Sequence, residues 1–251
     1  YLISAIFASL SVLVLGLIIL EAPVSIAILP FVVVLTGYWE IARLSTPDAM
    51  SCFFSLLAIY SLIRKGRLGF FVAAFLPLIR TDFILLSGLL MIFTYRRGKR
   101  LISLFSFLSA AAIYISVTKL TGNYGYLTLF NFTFIGPLNP YPANIVISHQ
   151  VADYLTPYGL LLQSLVSHPH TVVYALALYL FWLNRAQLKG SRIDFYCLFI
   201  LPFVFSAAHM LLFPSDHFRF FVFSNSLIFV WSLTVIAQSK AGDRAAMLRA
   251  K

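Results

Sequence analysis

The sequence predicts an all-α fold: a polytopic integral membrane bundle of about seven full spans plus a re-entrant helix hairpin, forming one transmembrane domain over residues 1–251. Three observations predict it. Of 251 residues, 61% are hydrophobic and 10% charged, with mean hydropathy +0.94, which leaves too little polar surface to face water around a soluble core. The apolar residues fall into runs approaching the roughly 20 residues that a helix needs to cross a bilayer. Finally, 14 of the 18 Lys and Arg residues sit in four short clusters between those runs, the pattern of cytoplasmic loops.

Taken in order, spans are expected at about 1–20, 23–39, 48–63, 101–120, 170–184, 194–213 and 220–237. The basic clusters are RKGR (64–67), RRGKR (96–100), RAQLKGSR (185–192) and KAGDRAAMLRAK (240–251), the last inside a cytoplasmic tail at 238–251. Placing all four inside fixes the rest by parity, because every span switches sides. The EAPV turn (21–24) is then inside, Tyr1 begins outside, and WEIARLSTPDA (39–49) and a long loop at 121–168 are outside. In a soluble protein a formal charge of +10 would suggest nucleic acid; distributed this way it faces anionic lipid instead, and no nucleic-acid partner is expected. Cys52 and Cys197 lie in apolar runs without C-x-x-C spacing, so buried free thiols are expected.

The run 68–95 fails as a single crossing, since both of its basic flanks belong inside. A hairpin of two short helices, LGFFVAAFLPLI and FILLSGLLMIFTY, resolves the conflict, with Arg80, Thr81 and Asp82 at its tip. Each arm of about 12 residues is roughly 18 Å long, short for an ordinary crossing. Pro77 suits a helix about to stop. Because exposed backbone at depth needs protein or water around it, the tip predicts a polar cavity on the outer side.

Charges at that outer face are few, and each is a candidate for function because charge at membrane depth is costly unless paired or wetted. Arg80 either braces the tip in a salt bridge with Asp82 or a neighbour, or meets a lipid phosphate with its guanidinium fork. Asp48 opens an apolar run after Ser45, Thr46 and Pro47. It either complements the helix dipole or orients a sugar hydroxyl, binds a metal or acts as a base. Glu40 is the other carboxylate near the proposed mouth. In PSDHFRFFVFSNS (214–226), Asp216, His217 and Arg219 stand at the outer end of the last span. There Arg219 either snorkels to bulk phosphate or binds a lipid-linked pyrophosphate. His168 and His170 flank Pro169 and His149 lies in the same loop, but this spacing lacks the i, i+4 placement of two imidazoles on one helix face, so no metal site is assigned. Asn131, Phe132 and Thr133 form a glycosylation sequon, a frequent chance triplet. The aromatic loop 121–168 suits headgroup anchoring or sugar stacking, and residues 157–168 suit an amphipathic surface helix.

Four segments carry a resemblance: LSTPDAMSCFFSLLAIYSLIRKGR, a polar start, apolar helix and basic turn; AAFLPLIRTDFILLSGLLMIF, a short helix pair with a basic residue at the break; the aromatic GNYGYLTLFNFTF; and HFRFFVFSNSLIFVWSL running into a final helix. Their order resembles the GT-C superfamily of polytopic glycosyltransferases, which take a sugar from a polyprenyl phosphate on the outer face of the membrane. The resemblance implies Arg219 as a ligand of the donor phosphate, with Arg80 near the same cavity and His217 beside it. Phe220 stands where the family often has Tyr. The family's acidic residue, in the loop after its first span, would by parity precede Tyr1, leaving Glu40 and Asp48 as the carboxylates able to assist catalysis. The implied partners are a lipid-linked sugar donor, membrane lipids and other membrane proteins, with a divalent metal compatible with the chemistry. The competing expectation is a non-catalytic subunit that keeps the transferase-like fold and scaffolds a larger assembly. A transporter is disfavoured by the lack of an inverted repeat. In a bacterium the chain would lie in the plasma membrane with its basic loops and C-terminus cytoplasmic.

Overall fold

The computed structural model describes residues 1–44, 47–64, 68–80, 83–96, 170–184, 196–212 and 218–249, with scattered positions between 101 and 116 and between 159 and 163. Among these, all regular structure is helical. Nearly all of the external loop, most of the four basic clusters, Asp82, Asp216, His217, His149, His168 and the sequon lie outside the described residues.

Helix α1 spans Leu2–Glu21 and buries a stripe of mostly small residues, Ser4, Ala8, Ser11 and Leu15. The stripe packs on α4, Asp48–Ile63, whose buried face includes Ser51, Cys52, Ser55 and Ala58. Small side chains let two helix backbones approach closely. Two of the hydroxyls bond back along their own chain segments, Ser11 Oγ donating to the Phe7 carbonyl at 2.7 Å and Ser51 Oγ to the Pro47 carbonyl at 2.8 Å, whereas the buried Ser55 Oγ has no hydrogen-bond partner among the described residues. Glu21, ending α1, pairs at 3.0 Å with Arg64, just past α4. The two helices are therefore parallel and end at one pole, the relation that parity requires between the EAPV turn and RKGR.

The stretch expected as one crossing at 23–39 is instead broken. A 3₁₀ turn at Ile26–Ile28 leads into α2, Leu29–Leu35, and a separate α3 follows at Tyr38–Arg43. The break falls at Gly37, whose φ of +83° is a left-handed conformation that a side chain disfavours. Thr36, just before it, turns its hydroxyl back to the Val32 carbonyl at 2.7 Å.

The hairpin is present as two helices in contact, α5 at Leu68–Ile79 and α6 at Ile84–Arg96. Helix α5 ends two residues after Pro77, and the chain turns at Arg80, whose carbonyl accepts from the Phe83 amide at 3.2 Å. At its other end α5 lies against α4 so closely that Gly69 donates its amide to Ser61 Oγ at 2.8 Å.

The C-terminal half adds α7 at His170–Asn184, a π turn at Tyr196–Ile200 leading into α8 at Leu201–Leu212, a 3₁₀ turn at Phe218–Phe221, and α9 at Val222–Arg249. Pro202 accounts for the π turn: it lacks an N–H and its ring crowds the carbonyl four residues back, so the chain widens before it. Helix α9 continues as helix well beyond the expected span end at 237. Its central residues are enclosed, and it touches α2, α4, α7 and α8. Phe199 stacks on Trp231 at 4.3 Å, and Tyr174 of α7 donates to Ser206 of α8 at 2.9 Å.

By length and composition, Leu2–Glu21 and Arg219–Ser239 can cross a membrane, while the apolar helices Ile26–Leu35, Asp48–Ile63, Thr171–Leu183 and Tyr196–Met210 are shorter. Large apolar side chains point outward on several elements, among them Leu13, Phe31, Phe105, Val172 and Trp182.

Candidate functional site

Helices α4, α5, α6, α8 and α9 meet around one pole, opposite the Glu21–Arg64 pair. Each brings one end to it. Asp48 is the first residue of α4 and Arg80 the residue directly after α5. The carboxylate therefore sits at the positive end of one helix dipole and the guanidinium at the negative end of another. Arg219 comes from the 3₁₀ turn that opens α9.

These three charges form one cluster. Arg80 Nη1 donates to Asp48 Oδ1 in a close ion pair, and Arg219 Nε lies 3.4 Å from Asp48 Oδ2. The carboxylate side chain is 1% exposed, whereas Arg80 keeps 15% and Arg219 28%. Phe220 lies beside both guanidiniums, 4.2 Å from Arg80 and 5.1 Å from Arg219, and Phe83 faces Arg80 at 5.7 Å. An aromatic face attracts a cation, so Phe220 helps hold the two arginines at a set spacing. The gap they enclose, lined by Asp48, Cys52, Arg80, Phe83, Arg219, Phe220 and Phe223, has no space for a water molecule.

Beneath it Phe83, Phe205 and Phe223 pack at 5.1 to 5.6 Å from one another. His209 stands edge-on to Phe221 at 5.0 Å and also meets Phe205 and Phe220. His209 is buried and supports the turn that carries Arg219. The sequence reading passed it over in favour of loop histidines, although an ionisable residue inside AAHMLL was a signal available. A second polar knot lies nearby: Thr36 Oγ1 and Ser226 Oγ are 3.0 Å apart, and Ser226 Oγ is 3.3 Å from the Tyr38 hydroxyl.

Beside the charges, a groove of about 590 Å³ runs between the first turns of α4 and the last turns of α5, lined by Pro47, Met50, Phe54, Val72, Phe75, Leu78 and Ile79. It starts at the neighbours of Asp48 and Arg80, and its lining is apolar throughout.

Of the residues expected to act, Asp48, Arg80 and Arg219 are thus brought together. Glu40 is half-buried in the first turn of α3 and does not line the gap. His217 and Asp82 lie outside the described residues. Cys52 and Cys197 are both buried thiols, as expected. Among the described residues no group of His, Cys, Asp or Glu is arranged to hold a metal ion. No family model, curated protein or solved structure matches the chain.

Proposed function

We propose that the chain is a multi-pass membrane protein whose charged pole faces the outer side and binds the phosphate of a lipid-linked sugar, in a transferase of the GT-C type using a polyprenyl-phosphate donor. One observation carries this reading: two arginines from distant parts of the sequence converge beside an apolar groove. A guanidinium pair matches phosphate oxygens, and a groove beginning next to it suits an extended hydrocarbon tail. The positive-inside rule assigns the sidedness, with Glu21 and Arg64 at the cytoplasmic pole. The shorter helices would then cross as parts of the seven-span bundle.

In that reaction the acceptor oxygen forms a bond to the anomeric carbon as the bond from that carbon to the phosphate oxygen breaks. The electron pair leaves with the phosphate. Arg80 and Arg219 would stabilise the charge that collects there, and a carboxylate would take the acceptor proton. Asp48 favours the second reading, a non-catalytic subunit that keeps the lipid site, since its two carboxylate oxygens are turned to the two guanidiniums rather than to an acceptor.

The test reconstitutes the purified chain with a polyprenyl-phosphate sugar and measures donor binding and sugar release separately. Arg219→Ala is expected to lower donor binding by about tenfold or more with folding intact. Binding without turnover in the wild type supports the subunit reading. Unchanged binding in Arg219→Ala removes the arginine pair from the site.

A further inference from the structure

Helix α3 carries two outward side chains that the charged cluster does not use. Tyr38 and Ile41, one turn apart, are 2% and 0% exposed and seat the helix on the bundle, with the Tyr38 hydroxyl 3.3 Å from Ser226 Oγ of α9. Trp39 and Arg43 stand four residues apart, which makes them neighbours on a helix surface. Both are exposed, the indole by 54%, and the Arg43 guanidinium lies 4.5 Å from the ring centre. Helix α3 belongs to the charged pole. A Cβ on Gly37, just before it, would meet Val222 at 4.0 Å, directly after the turn that carries Arg219, and only four residues separate Arg43 from Asp48.

Arg43 differs from the other described arginines in what holds it. Arg64 pairs with Glu21, and Arg80 and Arg219 share Asp48. Arg43 pairs with no carboxylate among the described residues, although Glu40 stands three positions before it. The Glu40 carboxylate turns back toward Gly37 instead, 3.8 Å from where a Cβ there would sit. An indole face attracts a cation through its ring electrons and offers no lone pair, so the five guanidinium N–H donors are left for another acceptor. An exposed indole also has a preferred level in a bilayer, the boundary between acyl chains and headgroups. With the ring there, its guanidinium partner stands among the lipid phosphates.

We propose that Trp39 and Arg43 form a headgroup site for an anionic phospholipid of the outer leaflet, the ring against the top of the acyl chains and the guanidinium on the phosphate. A zwitterionic lipid is the poorer occupant, because its own ammonium already balances its phosphate. The inference rests on the proposed function only in placing the chain in a membrane with this pole outward, and asks nothing of Arg80 or Arg219. Its occupant is bulk lipid rather than a sugar donor. Holding α3 at the surface also sets the level at which the apolar groove meets the bilayer, since Pro47, just past α3, lines that groove.

The test places the full chain in vesicles of phosphatidylcholine and phosphatidylglycerol in equal amounts, with the acyl chains of one lipid or the other brominated near the glycerol. Quenching of tryptophan emission that disappears in Trp39→Phe belongs to Trp39. Brominated phosphatidylglycerol is expected to be about fivefold enriched at Trp39 over brominated phosphatidylcholine. Arg43→Gln should keep the quenching and lose the preference. In wild type, salt at about 1 M, which screens charge within about 3 Å, should weaken the preference without any substitution. Equal quenching by both lipids in wild type, an unchanged preference in Arg43→Gln, or a preference indifferent to salt overturns the headgroup site and leaves Trp39 an ordinary lipid-facing side chain. No Trp39-dependent quenching by either lipid means that protein covers α3, and overturns it equally. Donor binding through Arg80 and Arg219 can survive each of these results. Loss of the chain from vesicles washed in alkaline carbonate sinks the membrane reading and the proposal together.

Discussion

A methyl group added at Gly69 should loosen the hairpin from the rest of the bundle. A Cβ there would lie 2.7 Å from the backbone carbonyl oxygen of Ala58, 3.0 Å from Ser61 Cβ and 3.2 Å from Ser61 Oγ. Ordinary contact begins at 3.4 Å, so α5 must move off α4 by about 0.7 Å, the difference between 3.4 and 2.7 Å. The clashing atom is backbone and cannot swing aside as a long side chain would. Overpacking of this kind costs about 1–3 kcal/mol, and the shift also stretches the Gly69 amide bond to Ser61, worth about 1 kcal/mol. The gain in helix propensity from Gly to Ala, about 0.5–1 kcal/mol, does not offset the two losses. Gly88 in α6 is the control, because a Cβ there meets nothing within 4 Å. Thermal or denaturant unfolding in one detergent should therefore show Gly69→Ala less stable than wild type and Gly88→Ala equal to it or more stable. Equal midpoints for Gly69→Ala and wild type would mean that α4 and α5 do not pack as described.

Three further outcomes follow from the same contacts. Asp48→Asn leaves two arginines without their shared carboxylate and should lower stability by about 3 kcal/mol, the low end for a broken buried pair because both arginines keep some exposure; chemical denaturation reads this directly. Tyr174→Phe removes the bond to Ser206 that links α7 to α8 and should cost about 1 kcal/mol in the same measurement, with no loss expected if that bond is absent in the membrane. Cysteines placed at Trp39 and Arg64, both exposed and near opposite poles, should react with an impermeant thiol reagent from opposite faces of sealed vesicles; labelling from one face alone would break the parity assignment.

Most of the candidate site was legible because charge is rare in this chain. An Arg inside LPLIRTDFILL, an Asp opening an apolar helix and an Arg ahead of the last one each stand out against their surroundings. The hairpin was legible for a different reason: two basic flanks cannot both be inside around a single crossing. Their partnership was not legible. Arg80 lies 32 residues from Asp48 and Arg219 much further, and charge alone does not say that one carboxylate serves both. The break at Gly37 was passed over because Thr36 and Gly37 interrupt the apolar run too briefly to lower its hydropathy much, although a glycine after a helical run is itself a stop signal. The π turn before Pro202 and the support given by His209 were missed because both depend on how α8 meets its neighbours rather than on its own composition.

The joining of the first helices to the last has a consequence for the order in which the molecule can be completed. Ser226, which meets Thr36 and Tyr38, lies 190 residues after Thr36, and Arg219 is similarly remote from Asp48. At a synthesis rate of about 5–20 residues per second, α9 emerges roughly 10–40 s after α2. Throughout that interval the hydroxyls and the carboxylate of the early helices must find temporary partners in water, in each other or in the insertion machinery. Helix α9 thus closes the described bundle: termination before it would leave the polar surfaces of the early helices unsealed, a ready signal for quality-control proteolysis.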